Sequence, residues 1–259
     1  MFNKNELILD KVRQIQMKSL EDGKLLGRIT SVEEPSIECT AEGEEVVDAV
    51  GAVITTLYRA KKATISGSGS LISMDLLAQQ FGTEKVIATE DKQIVDYNYE
   101  ILPIEGGKIT LAEKPVNEIK YIYSVVNGEI GTTYTAGTEA TDTTFVVDAE
   151  TKTITTPTGL TGKVYVEYKF MNSQAMAVKN SASNFPEACE LNIFAYFRDK
   201  CNENLKYSGK VIAPKAKLNP EQMSLALTST GKHPFEFKLM KDYCADEGDD
   251  ELFTIIVSE

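Results

Sequence analysis

The hydrophobic pattern of this chain changes period only once. Apolar and β-branched residues alternate with polar ones over short runs closed by Gly, Asn or Asp, and recurrence at three and four residues is confined to positions 71–82. Leu71, Met74 and Ala78 recur there with Leu77 and Phe81 beside them, Ser70 is the expected N-cap, and Gly82 is the expected residue past the C-terminus. A chain patterned in this way folds as sheets with one flanking helix.

The turn chemistry points the same way. Asp22-Gly23 separates the apolar segments 12–17 and 25–29, and such a pair closes a hairpin because both residues tolerate positive φ. Residues 7–17 read as a strand, with a short helix as the other reading. Residues 52–58 and 60–66 read as a second pair of strands, followed by Gly67-Ser68-Gly69-Ser70 as a strand-to-helix hinge. From residue 105 to 172 Cys is absent, Thr is abundant, and short strands at 109–111, 119–123, 144–147, 153–155 and 163–170 alternate with polar turns such as Asn127-Gly128. That spacing predicts a small inserted β-sandwich of Ig-like type between a first part, 1–104, and a second part, 173–259. Val164, Val166 and Tyr168 suggest a strand covered on both faces. Further strands are expected at 190–198, 206–213, 223–228, 235–240 and 252–257, with 214–220 as a loop. No fixed repeat supports a solenoid or propeller.

Charge narrows the function. With 27 Lys and Arg against 39 Asp and Glu in 259 residues, the chain carries a formal charge of -12. Proteins that grip nucleic acid present a basic stripe that displaces counterions from phosphates, so nucleic-acid binding is not expected. No apolar run reaches the ~18–20 residues of a membrane helix, and the first residues lack the order of a signal peptide, so a cytoplasmic product is expected. Cys39, Cys189, Cys201 and Cys244 form no metal-ligand spacing and are expected as thiols.

Catalytic signatures are missing. His233 is the sole histidine, in Gly-Lys-His-Pro ahead of a strand, and no nucleophile motif accompanies it; a hydrolase would have to use it. The acidic run 246–251 lacks the alternating ligand frame of a calcium loop and reads as a solvated turn. Gly67 to Ser70 has no following Lys-Ser/Thr, so the phosphate-loop reading fails. No cofactor, metal or catalytic residue is therefore expected. Arg59, Lys61 and Lys62 form the compact basic cluster of the first half; on a regular strand Arg59 and Lys61 share a face and Lys62 takes the other. They read either as an edge-strand defence or as inter-subunit ion-pair partners.

Three segments resemble a bacteriophage tail tube (major tail) protein. They are residues 58–66 leading into 71–82, the late strands, and the ending 233–244 followed by 252–257. Residues 108–116 to 164–168 look like the small β-modules inserted in phage virion proteins. The resemblance implies an antiparallel β-sandwich or barrel with one flanking helix, hexameric rings stacked into a hollow cylinder, other tail proteins as partners, and phage DNA passing through without specific binding. It further implies assembly in the host cytoplasm into the virion tail. Arg59, Lys61, Lys62, Asp22 and Gly23 are then candidate inter-subunit contacts, and a hairpin arm at 20–40 or 39–53 would bridge adjacent rings. The alternative is a host-surface or glycan-binding virion protein, for which Tyr121, Tyr123, Tyr134 and Tyr165 offer stacking area.

Overall fold

A computed structural model describes residues 6–202, 204–221, 224, 225, 228, 231–243 and 250–258. The expected strand at 223–228 and most of the acidic run 246–251 lie outside the described residues, as does Cys244. The chain opens with β1 (Leu7–Ser19), β2 (Leu25–Ile29), β3 (Val32–Val47) and β4 (Val53–Gly69), then α1 (Met74–Phe81). Next come β5 (Val86–Ile87), β6 (Ile94–Pro103), β7 (Lys108–Thr110), β8 (Tyr121–Val126), β9 (Glu129–Ala136), β10 (Thr144–Asp148), β11 (Thr153–Thr155), β12 (Lys163–Asn172) and β13 (Met176–Ala177). It closes with β14 (Ala188–Asp199), β15 (Lys206–Leu218), β16 (His233–Leu239) and β17 (Thr254–Ser258). The protein is mainly β with one helix, as its single change of period requires.

Two compact units form: residues 1–85 with 178–259, and residues 86–177. In the first, an antiparallel sheet of order β2-β1-β14-β15-β16-β4-β3, with β17 also on β15, curls into a nearly closed barrel. Alternation places one side of each strand inward. Ile15 sits opposite Ile193, Ile193 opposite Val211, and Phe237 opposite Ile65, and all five side chains join one buried core with Met17, Leu191 and Phe235. Residues 7–17 are strand, not helix, because their partner is β14 along its whole length. The Asp22-Gly23 turn forms as expected: Gly23 has φ +68°, its N–H donates to the Ser19 carbonyl, and Asp22 accepts from the Lys24 N–H.

The helix is shorter than its sequence pattern. Residues 67–69 continue β4 instead of forming a hinge, pairing with Phe235, Pro234 and His233. Gly67 is required there, since an added Cβ would lie 2.8 Å from the Phe235 ring. The chain therefore turns only after Gly69, and Ser73, not Ser70, is the N-cap, its hydroxyl accepting the Leu76 N–H at 3.2 Å. Leu76 drops into the barrel core. At the other end Gly82 takes φ +62°, and an added Cβ would collide with the Phe185 backbone. Gly82→Ala is expected to cost about 3 kcal/mol, combining left-handed strain with that collision, and the urea midpoint of unfolding measures it.

Three other expectations are corrected. β4 is one strand where two were expected, because its irregularity at Ala60 is a bulge and not a break. Residues 214–218 extend β15; Pro214 is tolerated because it sits where the register with β14 slips, opposite the interval between Cys189 and Leu191. Val164, Val166 and Tyr168 all face a single core, so β12 is covered on one face.

The second unit is built from the strands β6-β12-β8-β9-β10-β11-β7, with a two-stranded β5–β13 pair. β10 runs parallel to β9 and antiparallel to β11, so it joins two antiparallel groups around a core of Ile109, Ile122, Phe145, Ile154, Val164 and Val166. Asn127 and Gly128, both at positive φ, close the β8–β9 hairpin. The unit reaches upstream of residue 105, since β6 pairs with β12 from Pro103 back to Ile94.

Candidate assembly surface

β16 covers β4 only between Ala63 and Gly69. Beyond Lys62, β3 and β4 continue as a two-stranded ribbon that, among the described residues, pairs only with itself, out to a tip where Asp48 accepts the Val50 and Ala52 N–H groups at 2.9 and 2.8 Å. At ~3.3 Å per residue the ribbon projects roughly 25 Å. Of the two segments expected to form an arm, 20–40 holds β2 and the base of β3, whereas 39–53 supplies the ribbon's first strand and tip.

The ribbon is apolar in the wrong places for a solvated hairpin. Val50 is 88% exposed, Ile54 65% and Tyr58 74%, with Val47, Val53 and Leu57 also open. Leu57 stands opposite Glu44 and Tyr58 opposite Gly43, so consecutive residues put an apolar side chain on each face. An isolated two-stranded ribbon is marginal in water, and a contiguous exposed apolar surface marks a contact site.

Its charges are arranged by the bulge. Thr40 opposes Lys62 and Glu42 opposes Arg59, so the extra residue, absorbed by Ala60 at φ +50°, turns Arg59 onto the face of Lys62. The regular-strand expectation that Arg59 and Lys61 share a face is thereby reversed. Lys62 pairs with Glu42 at 2.8 Å and Arg59 with Glu44 at 3.6 Å, while Lys61 lines a cleft with Cys39 and Tyr243. The Lys62 hydrogen bond holds the Glu42 carboxyl below its ordinary range and lifts the Lys62 amine. Both pairs are solvated, so each contributes little to stability. Asp22 and Gly23 make only local turn bonds, and the Asp22 carboxyl is held low by the Lys24 N–H and the Ser19 hydroxyl.

His233 is fully buried; its Nδ1 accepts the Ser73 N–H at 3.1 Å and its Nε2–H donates to Gln80 Oε1 at 2.8 Å. Burial alone lowers its pKa. Cys39 and Cys201 are exposed free thiols, and Cys189 is buried, which with the neighbouring Glu190 charge pushes it up to about 12. Among the described residues no group of three His, Cys, Asp or Glu side chains is placed to hold a metal, and no helix is long and apolar enough to cross a membrane. Tyr134 faces the core of the second unit, whereas Tyr121, Tyr123 and Tyr165 lie on its outer sheet face. Tyr97 and Tyr99 of β6 join that face, and sequence reading missed them by assigning β6 to the first part.

The family whose profile the chain matches is one of phage tube-type structural proteins. The chain belongs to the YomU/Tube protein family, whose profile matches residues 7–250. A search of curated proteins found no match.

Proposed function

We propose that this protein is the repeating subunit of a phage tail tube, closing into hexameric rings that stack into a hollow cylinder through which DNA passes. Family membership supports the tube assignment, and the observation that carries the assembly reading is the ribbon with exposed apolar side chains on both faces. Such a ribbon becomes stable when a neighbouring copy covers it. A contact between unlike surfaces that closes by rotation generates the ring, and the ribbon is the part able to reach the next ring. Arg59 and Lys62 remain open to a neighbour's carboxylates because both members of each pair are solvated, and Lys61, Asp22 and Gly23 belong to the same proposed contacts.

The acid excess suits conduction. Six glutamates in β3 outnumber the three bases of β4, and a surface of that sign repels phosphate, so DNA slides without being held. The second unit is proposed as an Ig-like insertion, other tail proteins as partners, and the host cytoplasm as the place of assembly. A role without catalysis is part of the same proposal. Negative-stain imaging of the purified full chain at rising concentration is expected to show rings and stacked tubes; monomers at every concentration and salt would overturn the proposal.

A further inference from the structure

The outer face of the second unit carries a row of tyrosines that the tube reading does not use. Alternation along β6 leaves Tyr97 and Tyr99 at 72% and 68% exposure, and both point to the side away from the core. On the neighbouring β12 the same face presents Tyr165, Glu167 and Lys169, with Tyr165 directly opposite Tyr123 of β8 and Glu167 directly opposite Tyr99. The rings form a ladder across three strands: Tyr99 to Tyr165 and Tyr165 to Tyr123 are each 6.0 Å between centroids. Lys169 Nζ sits 5.0 Å over the Tyr97 ring, which fixes that edge of the platform. Tyr165 donates its hydroxyl to Glu167, which holds its ring and raises its pKa to about 12. A depression of about 390 Å³ lies along Tyr97, Tyr99, Asn117, Glu167 and Lys169.

We propose that this face is a binding site for a neutral oligosaccharide, with the Tyr99–Tyr165–Tyr123 ladder as its stacking platform. A pyranose ring presents a face of weakly polarised C–H groups that settles on the negative face of an aromatic ring, and its rim of hydroxyls both donates and accepts hydrogen bonds. Glu167 offers an acceptor and Lys169 a donor at the border of the rings, and a depression of this size takes a short oligosaccharide. The charges decide against the other occupants. A second copy of the chain docking here would desolvate Lys163, Glu167 and Lys169 within the centre of the contact, where interfaces are depleted of charge. Glu167 beside the central rings, on a chain of net charge -12, repels nucleic acid and polyanionic polymers.

The inference is independent of ring assembly and is tested on the full chain by isothermal titration with neutral tetrasaccharides of β-1,4-linked N-acetylglucosamine and of α-1,4-linked glucose. At least one probe is expected to bind, and Tyr99→Ala or Tyr165→Ala is expected to weaken it about tenfold or more, while Tyr243→Ala in the other unit leaves it unchanged. Tyr99 is exposed enough that its truncation spares the fold, which circular dichroism checks. Absence of binding by both probes, or affinity insensitive to Tyr99 and Tyr165, overturns the proposal. Loss of self-assembly in Tyr99→Ala would also overturn it, assigning the face to contact between copies.

Discussion

Replacing Val50, Ile54 and Tyr58 together by Ser is expected to abolish tube formation while leaving the barrel folded. The three side chains are the most exposed apolar groups of the ribbon, and none belongs to the barrel core. If a neighbouring copy buries them, each contributes about 1.5–3 kcal/mol to the contact, so their loss weakens association by roughly three to six powers of ten. The loss recurs at every contact of a ring, which makes the outcome close to all-or-none. Sedimentation velocity and negative-stain imaging read the assembly, and thermal unfolding reads the barrel. Tyr58 also shields the backbone, since a Cβ at Gly43 would lie 3.2 Å from its ring, so the triple variant frays the ribbon as well as stripping it. Val50→Ser with Ile54→Ser keeps Tyr58 in place and separates the two causes. Tubes formed normally by both variants would remove the ribbon from the assembly.

The same ribbon shows which parts of the fold sequence could reveal. Strands are legible wherever one face is buried, because burial writes a period of two: β14 and β15 up to Ala213 read clearly, and so do the Asp22-Gly23 and Asn127-Gly128 turns, whose residue types advertise positive φ. β9 went unread because it is exposed along nearly its whole length and leaves no apolar alternation. The bulge at Ala60 was equally silent. Alanine at positive φ carries no signal of the kind Gly or Asn would, so Arg59 was placed on the wrong face. Non-local pairing hid the rest. β6 looks like any amphipathic strand until β12 claims it, and only then do Tyr97 and Tyr99 meet Tyr165. An apolar residue in the ribbon reads as core until the structure shows it open to solvent.

His233 ties the helix to the barrel, and its removal is expected to be the most damaging single truncation outside the apolar core. Its two ring nitrogens bond the N-cap residue Ser73 and the last-turn Gln80, whose own amide donates to the Pro234 carbonyl at 2.9 Å. In His233→Ala the Ser73 N–H and Gln80 oxygen lose their partners in a closed space, at a cost of about 3 kcal/mol, a drop of roughly 6–12 °C in Tm. A pH signature separates this role from mere packing. The bond from Ser73 needs the neutral ring, because only an unprotonated Nδ1 can accept it, and burial holds the folded pKa below the ordinary 6.5. The unfolded chain therefore binds the proton first, and stability changes with pH in proportion to that difference. Wild-type stability is expected to be flat above pH 7, to fall as pH drops through 6.5, and to level off below the folded pKa. His233 is the sole histidine, and the carboxyls held low, such as Asp22, Glu42 and Asp96, titrate below their ordinary values of 3.8–4.5 and so leave this window clear. In His233→Gln, urea unfolding between pH 5 and 7 should lose the slope that the wild type shows. An unchanged slope would mean that His233 titrates alike in the folded and unfolded chains, so that burial and the bond from Ser73 do not hold the ring neutral.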